Sequence, residues 1–390
     1  IDALALEAGA HDRLVSVYEA ILEREEDPKE QAALRQRLAQ VMLRQGGDPE
    51  VAFDQLVEAL ELLPDDAGAL HAVEDAARAS GRWEDLLDLY ETHRDFTRDR
   101  SERLDLLVRS ARIIEENLNA PDRAFALVTD ALSMDPDDDE LAREMAGIVD
   151  RLEDRAPGDR KGLLWRRLVS FYRELVRGRD EESEEHVRLL EKIARIEEDY
   201  LNDGRAAFET CRQATLVLPG HTSSLDRLER LAGAHGLWVE LATHYASALE
   251  VVLEREAAVD LHRRRARVLT DDLDRRGDAI EHYWQLIQID PEDLESRAKL
   301  KGIFVETGRW NDLIMLLERE IPSLGAEHRR EALVEIARTW ETHLNNAYEA
   351  QDAYKRVLQE FPGDEGAAGA LERLGKPGRG SLDDDALAEL

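Results

Sequence analysis

An alanine–arginine pair recurs four times, as Ala111-Arg112, Ala194-Arg195, Ala266-Arg267 and Ala337-Arg338; a fifth occurrence of the pattern reads Ala39-Gln40. A guanidinium presents its donors in a planar fork that suits a carboxylate or backbone carbonyls. Arg263-Arg264-Arg265, just ahead of Arg267, is the most basic stretch of the chain. Arg263 and Arg264 therefore join Arg112, Arg195, Arg267 and Arg338 as candidate contacts to a partner. A purely structural use competes with this one. Glu115, Glu198 and Glu341 stand three residues after Arg112, Arg195 and Arg338, and Asp271 stands four after Arg267. Pairs at those spacings stabilise a helix surface by about 0.2–0.5 kcal/mol each.

Other chemistry-bearing residues fall short of a site. Cys211 is the single cysteine, so no intrachain disulfide forms, and its apolar helical surroundings read as core packing. The 11 histidines contain no His-x-x-x-His pair, and His235 and His244 lie too far apart across a turn to suggest a metal centre. Asp135-Pro136-Asp137-Asp138-Asp139-Glu140 invites comparison with a calcium loop. Such a loop needs glycine at its sixth place and glutamate at its twelfth, and counting from Asp135 gives Glu140 and Ala146. These acids instead read as the cap of a following helix, whose positive end favours carboxylates. No phosphate-binding glycine loop and no Gly-x-Ser-x-Gly elbow occurs. The reading is of a protein with no catalytic residues, no cofactor and no metal.

The composition narrows the class further. The chain has 390 residues, 43 % hydrophobic and 35 % charged, with a net charge of −34. That field repels phosphate backbones, which excludes nucleic acid as a partner, and it disfavours anionic lipid surfaces. No stretch approaches the roughly 18 apolar residues of a membrane span. Ala, Leu, Glu and Arg dominate, all good helix formers. Arginine outnumbers lysine 45 to 7, the habit of a GC-rich bacterial genome.

The elements that must position the arginines show up as a repeat. Pro64, Pro136, Pro219, Pro291 and Pro362 close apolar segments at intervals of 72, 83, 72 and 71. Trp83, Trp165, Trp238 and Trp310 open segments at intervals of 82, 73 and 72, and His11 fills the same slot 72 before Trp83. Each period of about 72 residues holds two helix pairs. One opens its second helix at the aromatic, after Gly81, Gly236 or Gly308. The other carries Ala39, Ala111, Ala194, Ala266 and Ala337 in its first helix, and Ala52, Ala124, Ala207, Ala279 and Ala350 in its second. Apolar residues fall at i, i+3, i+4 and i+7, as in Leu104, Leu107, Val108 and Ala111, and no segment alternates with a period of two.

Ala52, Ala59 and Pro64 are spaced by 7 and 5, as are Ala124, Ala131, Pro136 and Ala207, Ala214, Pro219, and 17 residues separate Pro64 from Gly81, Pro219 from Gly236 and Pro291 from Gly308. This resembles the tetratricopeptide repeat (TPR), whose second helix carries alanines at those spacings before a closing proline. The resemblance covers residues 1–374 and implies an all-α solenoid of about ten antiparallel helix pairs. There are departures. Leu86, Leu168, Leu241 and Leu313 stand where the family prefers alanine, and the alanine-bearing pairs have a turn about one residue too long. The resemblance also implies that the residue after the small position faces a concave groove. Arg112, Arg195, Arg267 and Arg338 would then line it, gripping an extended peptide. The functional expectation is a protein-interaction scaffold or adaptor for a protein or peptide. The alternatives are the repeat portion of a larger bacterial regulator or enzyme, and self-association through the solenoid ends.

Three further expectations concern the rest of the chain. The extra length of the 83-residue interval falls near Arg151–Gly162, read as a surface loop or a partner contact. Residues 375–380 read as a linker and 381–390 as an acidic helical tail or the start of a further segment. The cytoplasm is the expected compartment; since the sequence starts at Ile1 rather than methionine, a periplasmic or envelope-associated site stays open.

Overall fold

The computed structural model describes residues 11–44, 47–64, 66–179 and 183–375, the side chains of residues 11, 12 and 67 excepted. The packing of the His11 side chain, the linker beyond residue 375 and the tail lie outside what is described. Among the described residues every regular element is helical. The first run is α1 (His11–Leu22), α2 (Pro28–Arg44), α3 (Pro49–Leu62), α4 (Ala67–Ser80), α5 (Trp83–Phe96), α6 (Arg100–Ile113), α7 (Pro121–Met134), α8 (Asp139–Asp154), α9 (Leu163–Arg177) and α10 (Glu184–Asp199). There follow α11 (Gly204–Val217), α12 (Thr222–His235), α13 (Trp238–Val251), α14 (Arg255–Arg267), α15 (Arg276–Ile289), α16 (Leu294–Glu306), α17 (Trp310–Glu320), α18 (Ala326–Thr342), α19 (Ala347–Glu360) and α20 (Glu365–Leu374).

The helices group into two units, residues 1–210 and 211–390. Within the first unit, α2 packs on α3, α4 on α5, α6 on α7 and α9 on α10, and α2 also touches α4 while α6 touches α8. Within the second, the sequence-adjacent helices from α12 to α20 pack in the same way. The alanine series explains the closeness. Ala39, Ala111, Ala194, Ala266 and Ala337, and Ala52, Ala124, Ala207, Ala279 and Ala350, are all 0 % exposed. A methyl group there lets the facing helix approach; a larger side chain would push it off.

Two kinds of turn reverse the chain. Gly81, Gly236 and Gly308 adopt φ of 76°, 69° and 69° and hand over directly to Trp83, Trp238 and Trp310, each the first residue of its helix. Only glycine adopts that backbone without cost. Gly162 (φ 78°) does the same ahead of α9, but this helix starts two residues earlier, so Trp165 falls in its first turn. Trp165 stacks on Tyr200 with ring centroids 3.8 Å apart, and Trp310 on His343 at 3.6 Å. The tryptophans thus pack between helices.

The second kind of turn absorbs the residue that the sequence counts as surplus. Asn119, Asn202, Asp274 and Asn345 are left-handed with φ of 47°, 51°, 51° and 49°. They repeat at the intervals of the alanines. Ahead of them the helix widens, with Leu201, Leu273 and Leu344 donating to the carbonyls five residues back (3.1 Å each), and α6 and α14 running on into π-helical turns, Ile114–Leu118 and Val268–Asp272. Asparagine and aspartate tolerate the left-handed region better than other residues with a Cβ.

The extra segment near Arg155 is a short 3₁₀ turn, Gly158–Arg160, fastened by a buried acid. The Glu153 carboxylate, in a residue 6 % exposed, accepts from the Gly162 and Leu164 amides at 2.6 and 2.5 Å. Nearby, Glu115 is fully buried and paired with Arg151 and Arg155, each at 2.9 Å. In the acidic run before α8, Asp138 accepts from the Glu140 and Leu141 amides, so these residues do cap the helix.

Replacing Asn119 by glycine is expected to leave the urea midpoint unchanged. Asn119→Val is expected to destabilise by about 1–2 kcal/mol, the cost of forcing a β-branched residue left-handed. A valine variant as stable as the parent would overturn this account of the turn.

Candidate functional site

The candidate arginines sit on the first helices of their pairs, and the structure gives them unequal circumstances. Arg112, at the end of α6, is paired with Glu144 of α8. Arg267, at the end of α14, is paired with Glu229 of α12. Arg264 is more enclosed and touches three acids, Asp226 at 2.8 Å, Glu229 at 3.0 Å and Asp260 at 2.7 Å. Arg263 reaches Asp293 at 3.5 Å. Arg195 on α10 and Arg338 on α18 are exposed, and among the described residues their side chains make neither an ion pair nor a hydrogen bond.

The acids expected three residues on are differently employed. Glu115 holds Arg151 and Arg155, and Glu341 accepts from the Tyr354 hydroxyl at 2.8 Å and from Arg373 at 3.0 Å, with Arg338 acting on it only through space. The alanine seams are the reason. With neighbouring helices so close, an acid finds cations on the next helix in better geometry than along its own. A buried carboxylate such as Glu115 needs such partners to offset its desolvation.

Sequence reasoning missed a polar network that the structure assembles twice. In the first unit Tyr90 donates its hydroxyl to Glu74, while Arg109 reaches Glu74 and Asp105, both at 2.8 Å. In the second, Tyr245 donates to Glu229 at 3.0 Å, and Arg264 reaches Glu229 at 3.0 Å and Asp260 at 2.7 Å. All four positions differ by 155, the sum of the 83- and 72-residue intervals. One step further along the repeat, Lys301 and Glu335 make the same helix-to-helix pair at 2.5 Å with the signs exchanged. The signal was present in the sequence as Tyr90 and Tyr245, each seven residues after a tryptophan. Burial pushes both tyrosines well above the ordinary phenol range, and Glu74 and Glu229 push the same way. For Glu74 burial acts upward, but the Tyr90 hydroxyl and Arg109 outweigh it and hold the carboxyl below its usual value.

Cys211 is buried. His235 is exposed while His244 is 1 % exposed, with its Nε2 2.6 Å from the Thr215 hydroxyl. Among the described residues no three His, Cys, Asp or Glu side chains group so as to hold a metal ion.

Helix pairs, left-handed turns and alanine seams together define, within each unit, an all-α repeat fold of TPR-like helix pairs. No protein-family model matches the chain, and no curated protein matches it. Solved structures similar to it include YrrB, a TPR protein with an unusual peptide-binding site, at 13 % identity over 52 % of this chain and 97 % of that one, TM-score 0.28. The TPR domain of P58(IPK) is 15 % identical over 88 % of this chain and 97 % of that one, TM-score 0.23. Yeast Tom70 is 17 % identical over 92 % and 74 %, TM-score 0.26. Likeness this loose carries no argument of its own; the fold rests on the helices, turns and seams above.

Two outcomes test the site's electrostatics. Arg264→Met strips Asp260 of its arginine and leaves Glu229 with Arg267 and Tyr245 alone, and is expected to cost about 1–3 kcal/mol, with Tyr245→Phe costing about 1 kcal/mol, both read from denaturant midpoints. The second concerns pH. Burial, aided by nearby arginines, lowers His244 and His282 from 6.5 to about 4. The unfolded chain therefore takes up protons that the native state refuses. Their contribution is complete above pH 6.5 and is lost as pH falls from there towards 4. His244→Leu with His282→Leu, matching Leu89 and Leu127 of the first unit, should flatten the fall in midpoint between about pH 6.5 and 5; an unchanged slope would refute the assignment.

Proposed function

We propose that the protein is a non-catalytic scaffold that binds protein or peptide segments along the first helices of its pairs, with Arg195 as an anchoring contact in the first unit and Arg338, separately, in the second. The observation that supports this reading is the contrast between these two and their counterparts. The chain carries 86 acidic side chains against 52 basic ones. In such a chain an arginine finds a carboxylate easily, as Arg112, Arg263, Arg264 and Arg267 do. Arg195 and Arg338 occupy the same repeat position as Arg112 and Arg267, yet stand in solvent with no ion pair among the described residues. A ligand carboxylate there gains charge-assisted hydrogen bonds worth about 1.5–3 kcal/mol each. At Arg112 or Arg267 it would first have to displace Glu144 or Glu229. The strongly negative charge favours a partner segment that is otherwise neutral or basic and presents an isolated carboxylate. Among the described residues no helix is long and apolar enough to cross a membrane.

The test uses peptides selected on the intact chain from a random display library and measured by fluorescence anisotropy. Arg195→Ala and Arg338→Ala are expected to weaken binding about tenfold or more, and Arg112→Ala by less than about threefold. Equal effects at all three positions would remove Arg195 and Arg338 as special contacts. Failure to select any peptide would sink the segment-binding reading itself.

A further inference from the structure

The α14–α15 pair departs from α6–α7 at three packed positions. Where α6–α7 has Leu107, Ser110 and Leu127, α14–α15 has His262, Arg265 and His282, each 155 residues on. The first two positions are Leu190 and Ile193 in α10, and Leu333 and Ile336 in α18, all buried. In α2–α3 the outer two positions are Arg35 and Gln55, hydrogen-bonded to each other at 2.7 Å, and the middle one is Leu38. The middle position is thus Leu38, Ser110, Ile193 or Ile336 in the other repeats and an arginine only in α14.

These side chains are close and incompletely satisfied. His262 Nδ1 lies 2.9 Å from His282 Nδ1, so one ring donates and the other accepts, with ring centroids 5.2 Å apart. His282 is buried, and His262 and Arg265 are half-buried. The Nε of Arg265 is buried without a hydrogen-bond partner, and its guanidinium makes no ion pair among the described residues. Arg35, Arg297 and Arg329 also bury an unpartnered Nε, but each reaches an acid: Glu58 at 2.5 Å, Glu320 at 3.8 Å and Glu360 at 3.8 Å. Glu281 and Asp278 are near enough to act on Arg265 through space, Arg275 opposes them, and none closes a contact with it. Burial holds the arginine and both histidines below their ordinary values. An arginine whose Nε is enclosed with no partner in return is a cost that the fold does not require at this position.

We propose that Arg265, flanked by His262 and His282, forms a binding site for a small oxyanion between α14 and α15, distinct from the peptide contacts at Arg195 and Arg338. The planar fork supplies parallel donors to two oxygens, and the adjoining imidazoles line the approach. A tetrahedral anion such as phosphate and a carboxylate share this chemistry.

Calorimetric titration of the intact chain with inorganic phosphate, sulfate and succinate, in separate arms, tests the site. At least one anion is expected to bind saturably with Kd about 1 mM or tighter, and Arg265→Ser to weaken it about tenfold or more. The serine is what α6 carries at this position, and circular dichroism checks the fold. Should that variant fail to fold, Arg265→Gln makes the same comparison. Binding of phosphate and sulfate alone assigns a tetrahedral anion, and of succinate alone a carboxylate. His262→Leu with His282→Leu, which restores the leucines of the first unit, is expected to weaken binding severalfold; unchanged affinity would remove the histidines from the site. No saturable heat with any of the three up to about 10 mM, or equal binding by the folded Arg265 variant, overturns the proposal.

Discussion

Two helices can lie close together only where one of them presents a methyl group or less, and this chain meets that condition at ten matched positions. From Ala39 to Ala350, the alanines of the first and second helices are wholly enclosed. Their small size is what lets charged side chains span from one helix to another further along the chain. Arg112 reaches Glu144 and Arg109 reaches Glu74 from the helix that carries the buried Ala111. The widened turns serve the same end. By taking up one residue more before Asn119, Asn202, Asp274 and Asn345, they deliver each second helix to its seam in register.

On that framework the polar contacts follow position more than sign. Glu74 with Arg109, Glu229 with Arg264, and Lys301 with Glu335 occupy corresponding places, the last with charges exchanged. What the place demands is a matched pair across two helices, since one charge left alone at a half-enclosed site is costly. Against this rule Arg195 and Arg338 are exceptions in solvent and Arg265 is an exception under partial cover.

The sequence disclosed what is inherited through side-chain size and backbone freedom. Alanines, closing prolines, the Gly-x-Trp turns and the Asp138 cap could all be found by counting, because each acts within a few residues of itself. The tyrosine–glutamate–arginine network could not be found that way. It joins three helices, and whether Glu74 meets Arg109 depends on how far one helix slides past another. The fate of Glu115 was hidden for the same reason. A helix-surface pairing with Arg112 is plausible until the burial of Glu115 and the arrival of Arg151 and Arg155 are known. The candidate arginines were legible as a series, but which of them are already spoken for is a property of neighbouring helices.

The inter-helix ion pairs also give dissolved salt an uneven grip on this molecule. The chain carries 34 more negative than positive charges, and their mutual repulsion acts over distances comparable with the Debye length of about 10 Å at 0.1 M ionic strength. Counterions weaken that repulsion readily. They weaken contacts such as Arg264 with Glu229 far less, because those charges touch and are partly shielded from water. Moderate ionic strength therefore removes more of what pushes the helices apart than of what ties them together, and the array tightens as salt is added.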